Sequence, residues 1–473
     1  MKKITIKTGS NHSTSSSKSI SAQNFFNSAF KTFSLYDNVR SIPGIDGLKP
    51  SQRKAIYGTY LKGENASFHV VARLAASIAE LTDYHHGTGS MESTLAGLAA
   101  VKYAGSNNMN LFTPKGQFGS RLTKEPGAGR YIKTKLSEAF RQLCKKEDDV
   151  ILDHNEVDGE KIEPKFYLPI LPLVLINGAT GIGTGHSVEI QPYHPEQIRD
   201  ACLKVLDGKT LKPGTLVPWF RALSGYKGSV TRNESGQIVT MGKMQVVNST
   251  TIRITELPVG KFVDDYKSVL NALMEPDRNG DVIVRDYHDA STEESFDFNV
   301  TVPRSTTALT EEQLYQKFKL VARESENFTL WNASGVLQRF SSAEDVITMY
   351  VEWRLSFYEV RRQKLISDTK ESIRWLNEMV RFIRFYLANV KLFRDTSKKE
   401  LIELLLSEKF SDYDKLLGMP IWNLTKDKIA ELEKKLGDLK IYLASLESDA
   451  PTEMYRRELK AFKYTEIFEY EEE

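Results

Sequence analysis

The sequence has few cysteines and no long apolar run. Its 473 residues include two cysteines, Cys144 and Cys202, whose separation fits neither a metal-binding nor a redox pair. This usage is typical of a reducing compartment such as the cytoplasm. No apolar run approaches the ~18 residues of a membrane-spanning helix, and the first 20 residues lack the apolar core of a secretory signal. We therefore expect neither a secreted, disulfide-stapled protein nor a membrane protein.

Proline and glycine are missing from one long stretch, because neither occurs between Gly335 and Gly418. Apolar residues recur at helical spacing over residues 351–390 and again over residues 429–446, with Thr425 as N-cap of the second run. We expect two long helices that pair as an antiparallel coiled coil. The apolar tip between them would be exposed unless it paired with another copy. An internal αα-hairpin is the alternative, and it leaves the tip unexplained.

Net charge is also small, at +2, but it is unevenly distributed. Residues 1–146 contain 21 Lys and Arg against 8 Asp and Glu, whereas the remaining residues contain 43 against 54. Phosphate neutralisation supplies most of the non-specific affinity for nucleic acids, so the basic part indicates a polyanionic partner. Its first 21 residues are polar and Ser-rich, and are predicted to form a disordered tail.

Two residues in the basic part have the chemistry of phosphoryl transfer. Small residues at 127–129 lead into Arg130 and Tyr131. Small residues let a backbone approach a ligand, an Arg grips a phosphate through two donors, and a phenol can attack phosphorus. Taken alone, a Tyr is far more often a packing residue than a nucleophile. After this pair the sequence predicts a helix that ends near Cys144.

Helical periodicity surrounds a tight turn upstream of this pair. Residues 70–81 and 91–101 have apolar residues at helical spacing, and Tyr84-His85-His86-Gly87 lies between them. Two short helices across a Gly turn are typical of helix-turn-helix DNA-binding proteins, although many such hairpins bind nothing. A preceding helix from Ser51 has Arg53 and Lys54 in its first turn, where free N–H groups favour a phosphate.

A glycine-rich segment, residues 177–185, follows an apolar run. It lacks the Lys-Ser/Thr of a P-loop and no helix follows it, which excludes a nucleotide-binding loop. It would instead display Ile182 on a flexible loop, as a wedge that unstacks a duplex. Residues 196–335 then mix predicted helices with short strands. Within them, residues 277–281 imitate a calcium loop but lack its Gly and Glu positions, and are predicted to be a turn.

Several motifs in fixed order resemble the DNA-cleaving subunit of type IIA DNA topoisomerases. They are Asp46-Gly47-Leu48-Lys49-Pro50, Tyr84-His85-His86-Gly87, Gly116-Gln117-Phe118-Gly119-Ser120-Arg121, Arg130-Tyr131, and Asn177-Gly178 with Gly181-Ile182-Gly183-Thr184-Gly185. Further on, residues 416–425 resemble the eukaryotic branch. The resemblance extends from about residue 22 to the end of the sequence. One departure is Gly127 and Gly129 in place of the usual alanines.

This resemblance implies an α+β multidomain fold. Its parts are a winged-helix (helix-turn-helix) DNA-binding domain, a mixed α/β tower domain and a long antiparallel coiled coil with a dimer gate. The implied boundaries are a tail at 1–21, the winged-helix catalytic domain at 22–195, the tower at 196–335 and the coiled coil at 336–473, with the gate near 396–424.

The resemblance also implies roles for individual residues. Tyr131 matches the nucleophile that becomes a 5′-phosphotyrosine, and Arg130 matches the cation that stabilises the transferring phosphate. His86 and Arg40 match two further polar groups around the scissile phosphate. The implied DNA-binding residues are Lys49, Arg53, Lys54, Arg121 and the intercalating Ile182.

ATPase and metal motifs are absent from the sequence, since it has no Walker A pattern and Glu147-Asp148-Asp149 does not match the toprim metal set. We therefore expect Mg²⁺ and ATP to be bound mainly by a separate ATPase/toprim chain. That chain would complete a homodimer of this subunit into a heterotetramer in a phage or bacterial cytoplasm.

The expected activity is that of an ATP-dependent type IIA topoisomerase, which breaks double-stranded DNA, passes a duplex and reseals the break. The sequence ends in acidic residues, so we expect relaxation and decatenation without net supercoiling. The alternative is a non-enzymatic DNA-architectural protein in which Tyr131 only packs. That alternative gives no reason for Arg130, His86 and Arg40 to occur together.

Overall fold

The computed structural model describes residues 3–5, 19–63, 67–221, 225–276 and 280–464. Its helices are α1 Ala22–Phe25, α2 Lys31–Ser41, α3 Pro50–Leu61, α4 Val71–Leu81, α5 Thr88–Ala99, α6 Glu138–Leu143, α7 Leu173–Asn177, α8 Pro195–Leu206, α9 Val263–Met274, α10 Arg304–Thr307, α11 Glu311–Lys317, α12 Ala343–Ala388, α13 Val390–Asp395, α14 Lys398–Ser407, α15 Tyr413–Leu417, α16 Lys426–Ser448 and α17 Pro451–Ala461. A π-helical turn at Phe26–Phe30 joins α1 to α2, and 3₁₀ turns occupy Lys146–Ile151 and Ile421–Asn423. None of the helices in these ranges has the length and apolar character needed to cross a membrane.

The strands in the same ranges are β1 Lys3–Thr5, β2 Ser19–Ser21, β3 His69–Val70, β4 Phe112–Lys115, β5 Lys133–Leu136, β6 His154–Val157, β7 Glu160–Pro164, β8 Ala179–Gly183, β9 His186–Ile190, β10 Ser229–Arg232, β11 Ile238–Met241, β12 Lys243–Asn248, β13 Thr251–Glu256, β14 Asp286–Asp289, β15 Phe298–Thr301, β16 Val321–Glu324, β17 Phe328–Trp331 and β18 Leu337–Phe340. Strands β1 and β2 pair antiparallel, although the sequence predicted disorder there. Residues 1–2 and 6–18 of the predicted tail lie outside the described residues.

The chain divides into two compact units, one made of residues 1–354 and 458–473 and the other of residues 355–457. The sequence placed all of residues 336–473 in the coiled coil, but both ends of that segment belong to the first unit. Buried Arg354 donates to Asp148 at 2.6 Å, and Arg199 donates to the Phe462 carbonyl at 3.1 Å. These contacts hold both segments on the first unit. The first unit also includes the residues on both sides of position 195, where the sequence predicted a boundary between two domains.

Three helices and a small sheet surround the Tyr131 region of the first unit. Helices α3, α4 and α5 pack on one another, and strands β3, β5 and β4 form an antiparallel sheet with β5 in the centre. The helix predicted after Tyr131 does end at Cys144, but it is only the short α6, because β5 occupies the first half of that segment. In β5, Thr134 and Leu136 are buried while Lys133 is exposed, which is the alternation of a strand.

The segment at 196–335 combines two sheets with helices. Strands β12, β13, β15 and β14 form one antiparallel sheet, and β10, β11 and β16 form another. The apolar face of the four-stranded sheet packs on α9 and α11 through Ile252, Phe298, Tyr266 and Phe318. The turn predicted at 277–281 has its first three residues outside the described part of the chain.

The second unit contains two long helices that run antiparallel. Lys370 of α12 pairs with Glu447 of α16 at 2.8 Å, and further along α12 Arg384 pairs with the earlier Glu433. Buried Val380, Ile383, Leu432 and Leu436 form the apolar seam between them. As predicted, Thr425 is the N-cap of α16, and its hydroxyl accepts a hydrogen bond from the Lys428 amide at 3.2 Å.

The tip between these helices is only partly exposed. Leu405, Phe410 and Leu416 are buried against Phe382 of α12, so the chain covers much of the apolar surface that the sequence left open. Ile421 and Trp422 remain exposed, and Trp422 is 78% accessible to solvent.

Candidate active site

Arg130 and Tyr131 lie on a tight turn that leads into β5. The Tyr131 amide donates to the Ala128 carbonyl at 2.8 Å, and the Ala72 amide of α4 donates to the Gly129 carbonyl at 3.0 Å. The next residue, Ile132, is buried, whereas Tyr131 is 73% exposed. The fold therefore fixes the turn at its base and presents the phenol to solvent.

The guanidinium of Arg130 lies beside this phenol. Its Cζ is 5.0 Å from the centroid of the Tyr131 ring, and the side chain makes no hydrogen bond or ion pair with any described residue. An Arg stacked on an aromatic face keeps its donors free for a phosphate or carboxylate. The pair is thus a nucleophile and a cation held next to each other on an open surface.

The glycine at 129 is explained by a neighbour on α5. A Cβ at Gly129 would collide with the carboxylate of Glu92, which lies against the turn. Alanine, usual at this point in the family that the sequence resembles, would force Glu92 to move. Gly129 and Glu92 therefore fit each other in size.

A cavity of about 680 Å³ collects most of the other predicted site residues. Its lining includes Arg40 at the end of α2, Lys49 before α3, His86 before α5 and Ile182 on β8. Pro50 and Ser51 at the start of α3, and Ser90 and Thr94 of α5, also line it. Arg130 and Tyr131 are not among the described residues that line this cavity. Within one chain the candidate site is therefore divided between a cationic cavity and the separate Tyr131 turn.

Tyr36 connects the two predicted polar groups of the cavity. Its hydroxyl lies 3.2 Å from Nε2 of His86, and the Cζ of Arg40 is 5.5 Å from its ring centroid. Desolvation, then the positive charges of Arg40 and His85, lower the pKa of His86 below its ordinary value. The neutral imidazole is thereby favoured. Sequence reasoning did not single out Tyr36, although its spacing of four residues from Arg40 puts both on one helix face.

Lys49 has a partly structural role in the same cavity. Its ammonium donates to the Thr180 carbonyl of β8 at 2.8 Å, and burial lowers its pKa from the ordinary value. This hydrogen bond ties the start of α3 to the strand that carries Ile182.

Ile182 lies on a β-hairpin, not on the flexible glycine loop that the sequence predicted. Strands β8 and β9 pair with Ile182 opposite Ser187, and the Ile182 side chain is 83% exposed. A Cβ at Gly181 would collide with the Ser41 carbonyl, and one at Gly183 would collide with Asn38. The two glycines therefore let β8 lie directly on α2, while Ile182 between them points the other way.

Three predicted DNA-binding cations are engaged inside the protein, which argues against the roles assigned to them. Arg53 forms two hydrogen bonds with buried Asp46, at 2.8 and 2.7 Å. Lys54 pairs with Glu163 at 2.8 Å and donates to the Thr82 carbonyl. In each case a carboxylate outside the cation's own helix neutralises it, so Arg53 joins α3 to the loop that precedes it and Lys54 joins α3 to β7.

Arg121 is the clearest of these corrections. It is buried, and its guanidinium bonds both oxygens of Glu256, at 2.7 and 2.9 Å, and the Gly225 carbonyl at 2.6 Å. A charge in this position has no access to a duplex. It instead joins the Gly116–Arg121 motif to β13.

The described residues do not fit a metal ion at this site. Among them no group of three or more His, Cys, Asp and Glu is arranged to hold one. The cavity lining contains the cations Arg40, Lys49 and Lys54. Its carboxylates already have partners, because Asp37 accepts from the Thr184 hydroxyl at 2.7 Å and Asp83 lies 3.0 Å from Nε2 of His85.

Comparison with known proteins gives one consistent family. A family profile described as the A subunit of DNA gyrase/topoisomerase IV matches residues 40–460. DNA topoisomerase 2 from Penicillium chrysogenum is 32% identical over 96% of this chain and 30% of its own length. The mitochondrial DNA topoisomerase 2 of Dictyostelium discoideum is 33% identical over 94% of this chain and 35% of its own.

A solved structure agrees with this relationship. The topoisomerase II DNA-binding, cleavage and re-ligation domain of Plasmodium falciparum superposes with a TM-score of 0.86 at 33% identity, covering 92% of this chain and 63% of that one. The α+β fold is thus that of this domain. The chain spans about a third of the length of the curated relatives. It belongs to the type IIA DNA topoisomerases, in the family of the DNA gyrase and topoisomerase IV A subunits.

Proposed function

We propose that this chain is the DNA-cleaving and religating part of an ATP-dependent type IIA topoisomerase, with Tyr131 as its nucleophile. The observation that carries the proposal is the exposed phenol of Tyr131 with the unengaged guanidinium of Arg130 beside it. A packing tyrosine would be buried or would hydrogen-bond a neighbour. The family relationship and the basic character of residues 1–146 support DNA as the substrate.

In the proposed reaction the Tyr131 oxygen attacks a backbone phosphorus of the duplex. The new bond joins phosphorus to the phenol oxygen, the bond to the 3′ oxygen breaks, the phenol proton leaves to water and the 3′ oxygen takes up a proton. The product is a 5′-phosphotyrosine and a free 3′ hydroxyl. Because the phosphodiester energy is retained in the covalent link, attack by the 3′ hydroxyl reseals the strand without nucleotide hydrolysis.

Cations meet the negative charge that builds up during this transfer. Arg130 is placed beside the phenol to bind the phosphate oxygens through two donors. Arg40 and the neutral His86 would contact the same or a neighbouring phosphate from the cavity, and Lys49 would add positive potential there. In this proposal the first part of the chain acts as a winged-helix domain and residues 196–335 act as the tower.

We propose that Mg²⁺ and ATP are bound by an ATPase/toprim region outside this sequence, because the sequence contains neither a Walker A pattern nor a match to the toprim metal set. The sequence predicted a separate chain, a heterotetramer and a phage or bacterial host. The two curated relatives named above are eukaryotic and roughly three times longer than the matched segment, so they favour neither a separate chain nor that host.

The proposal includes a homodimer that forms through the tip of the second unit. Ile421 and Trp422 are exposed there and are large enough to anchor an interface. Sedimentation velocity checks this point: Trp422→Ser should shift the chain toward monomer, whereas Tyr442→Ser on the flank of α16 should not.

The main test is trapping of the covalent intermediate. Supercoiled plasmid is incubated with Mg²⁺, ATP and the chain completed by a type IIA ATPase/toprim partner, and the mixture is then denatured with detergent. Wild-type protein should yield linear DNA linked to protein, and Tyr131→Phe should yield none. Tyr442→Phe, which alters another partly exposed tyrosine, is the matched control. DNA adducts that survive Tyr131→Phe would instead support the architectural alternative, with Tyr131 outside the chemistry.

A further inference from the structure

The β8–β9 hairpin has little stability of its own. It is a two-stranded sheet, and a two-stranded hairpin alone is marginally stable in water. If Ile182 is driven between stacked bases, the bases push back on the strand that carries it. Something outside the hairpin must therefore hold it in place.

One side of the hairpin rests on α2. The Nδ2 of Asn38 donates to the Thr184 carbonyl at 3.0 Å, and the Thr184 hydroxyl donates to Asp37 at 2.7 Å. These contacts, with the close approach at Gly181 and Gly183, fix β8 and the turn. They leave β9 to be held from elsewhere.

Asn327 supplies that second support. Its main chain pairs with Glu189 of β9, with N to O distances of 2.7 and 3.0 Å. Its side-chain Nδ2 donates to the carbonyl of Ser187 at 2.7 Å and to the Ser187 hydroxyl at 3.1 Å, and its Oδ1 accepts from Thr329 at 2.7 Å. Ser187 is the residue paired directly with Ile182. The Asn327 amide thus grips the hairpin at the position of the wedge.

The preceding residue extends this grip along the chain. Glu326 accepts the Gln191 amide at 3.2 Å and the Tyr193 hydroxyl at 2.8 Å, and it pairs with Arg232 of β10 at 3.0 Å. The two residues therefore connect the β10-β11-β16 sheet to the segment that contains β9. This connection is made to β9, whereas α2 contacts β8 and the turn.

We propose that Asn327 is a positioning residue that holds β9, and through it Ile182, in the orientation that bends a DNA duplex. This inference rests on the proposed function, because it requires Ile182 to act as a wedge. Each hydrogen bond lost shifts an equilibrium by about fivefold. Asn327→Ala should therefore raise the equilibrium constant for detachment of β9 from Asn327 by roughly ten- to thirtyfold. The main-chain pairing with Glu189 should still preserve the fold.

The test measures DNA bending and DNA affinity separately, using the full chain and a duplex labelled at its two ends with a fluorescent donor and acceptor. Energy transfer at saturating protein reports the bend, and anisotropy of a singly labelled duplex reports the dissociation constant. Ile182→Ala and Asn327→Ala should both reduce the change in energy transfer. The dissociation constant should change less than about threefold, because phosphate contacts supply most of the affinity.

Three further variants make the result specific. Asn327→Asp keeps the size and the acceptor for Thr329 but loses the donor to Ser187, so it should behave like Asn327→Ala. Asn332→Ala removes an amide of the β17–β18 turn that contacts Gln338 at 2.9 Å, and it should bend DNA normally. The double variant Ile182→Ala/Asn327→Ala should lose no more bending than Ile182→Ala alone, whereas general damage to the fold would add a further loss.

The outcomes separate the two levels of the proposal. If both Asn327 variants bend DNA normally while Ile182→Ala does not, Asn327 is not a positioning residue, but Ile182 still acts as a wedge. If Ile182→Ala bends DNA normally, Ile182 is not a wedge and the positioning role of Asn327 fails as well. Cleavage through Tyr131 would not be affected by that result. If Asn327→Ala unfolds at the assay temperature, Asn327→Asp decides the question.

Discussion

The Arg130–Tyr131 turn and the segment that ends at Arg121 are close in sequence, basic, and part of the same set of motifs, yet they differ in almost every physical respect. The Arg130 side chain is exposed and makes no hydrogen bond or ion pair with any described residue. Arg121 is buried and bonds both oxygens of Glu256. Arg130 is therefore available to a ligand at the surface, whereas Arg121 stabilises the fold.

The difference shows that a cation in a motif is available to DNA only if the fold has not already paired it. Burial raises the pKa of Glu256, although the neighbouring Arg121 acts to lower it. Desolvation therefore outweighs the attraction at this carboxylate, and the pair depends on both partners being present. Arg53 with Asp46 repeats the pattern, whereas Arg40 resembles Arg130.

The largest effect that this comparison predicts is on stability. Arg121→Met should lower the free energy of unfolding by about 3–5 kcal/mol, because it removes the cation that compensates the buried carboxyl of Glu256. Urea denaturation measures the change. Arg253→Met is the matched control, since Arg253 also bonds a carboxylate twice, at 2.8 and 2.7 Å, but on the exposed face of β13. We expect it to cost about 1 kcal/mol or less.

A second variant separates loss of the pair from loss of packing. Arg121→Met with Glu256→Gln removes both charges and should recover part of the stability lost in Arg121→Met alone. Equal losses for Arg121→Met and Arg253→Met would mean that Arg121 is not a structural ion pair. The comparison with Arg130 would then fail.

A smaller free-energy effect, on catalysis alone, is predicted for Arg130. Arg130→Ala should slow formation of the phosphotyrosine adduct by about 10²–10³-fold, the usual loss when one group that stabilises transition-state charge is removed. Its free energy of unfolding should change by less than about 0.5 kcal/mol. Single-turnover cleavage and urea denaturation give the two values.

The controls for Arg130 test the chemistry of the side chain. Arg130→Lys keeps the charge but not the two-donor fork, so its rate should lie between those of wild type and Arg130→Ala. Arg394→Ala removes an exposed arginine paired with its neighbour Asp395 and should leave cleavage unchanged. If Arg130→Ala destabilises the protein as strongly as Arg121→Met does, then Arg130 also stabilises the fold, and the distinction between the two arginines fails.

The elements that sequence predicts well here are those whose signal is local. Helices α12 and α16 pair antiparallel through the apolar residues whose spacing indicated them, and Thr425 caps α16. The motif order also singled out Tyr131 and Arg130; the fold leaves both exposed, and their catalytic role stays a prediction. The failures involve partners outside the local segment: Glu256 for Arg121, Asp46 and Glu163 for Arg53 and Lys54, and α12 for the apolar tip. Strand β5 was missed because only pairing with β3 and β4 makes four residues rich in lysine a strand.

The smallest predicted effect concerns the charge state of His86, on the exposed side of the comparison. Desolvation first, and then Arg40, lower the pKa of His86 in the folded chain from 6.5. Because the folded pKa is the lower one, the stability contributed by the neutral imidazole is present above pH 6.5 and is lost as the pH falls through the folded pKa.

An NMR titration of the His86 ring in the DNA-free chain should thus show a midpoint below that of an unfolded peptide. Arg40→Ala should raise the midpoint by a few tenths of a pH unit, since a nearby positive charge disfavours protonation. Lys426→Ala, in the second unit, should leave it unchanged. If the midpoint of His86 does not change in Arg40→Ala, the Arg40 guanidinium and the His86 imidazole do not interact electrostatically.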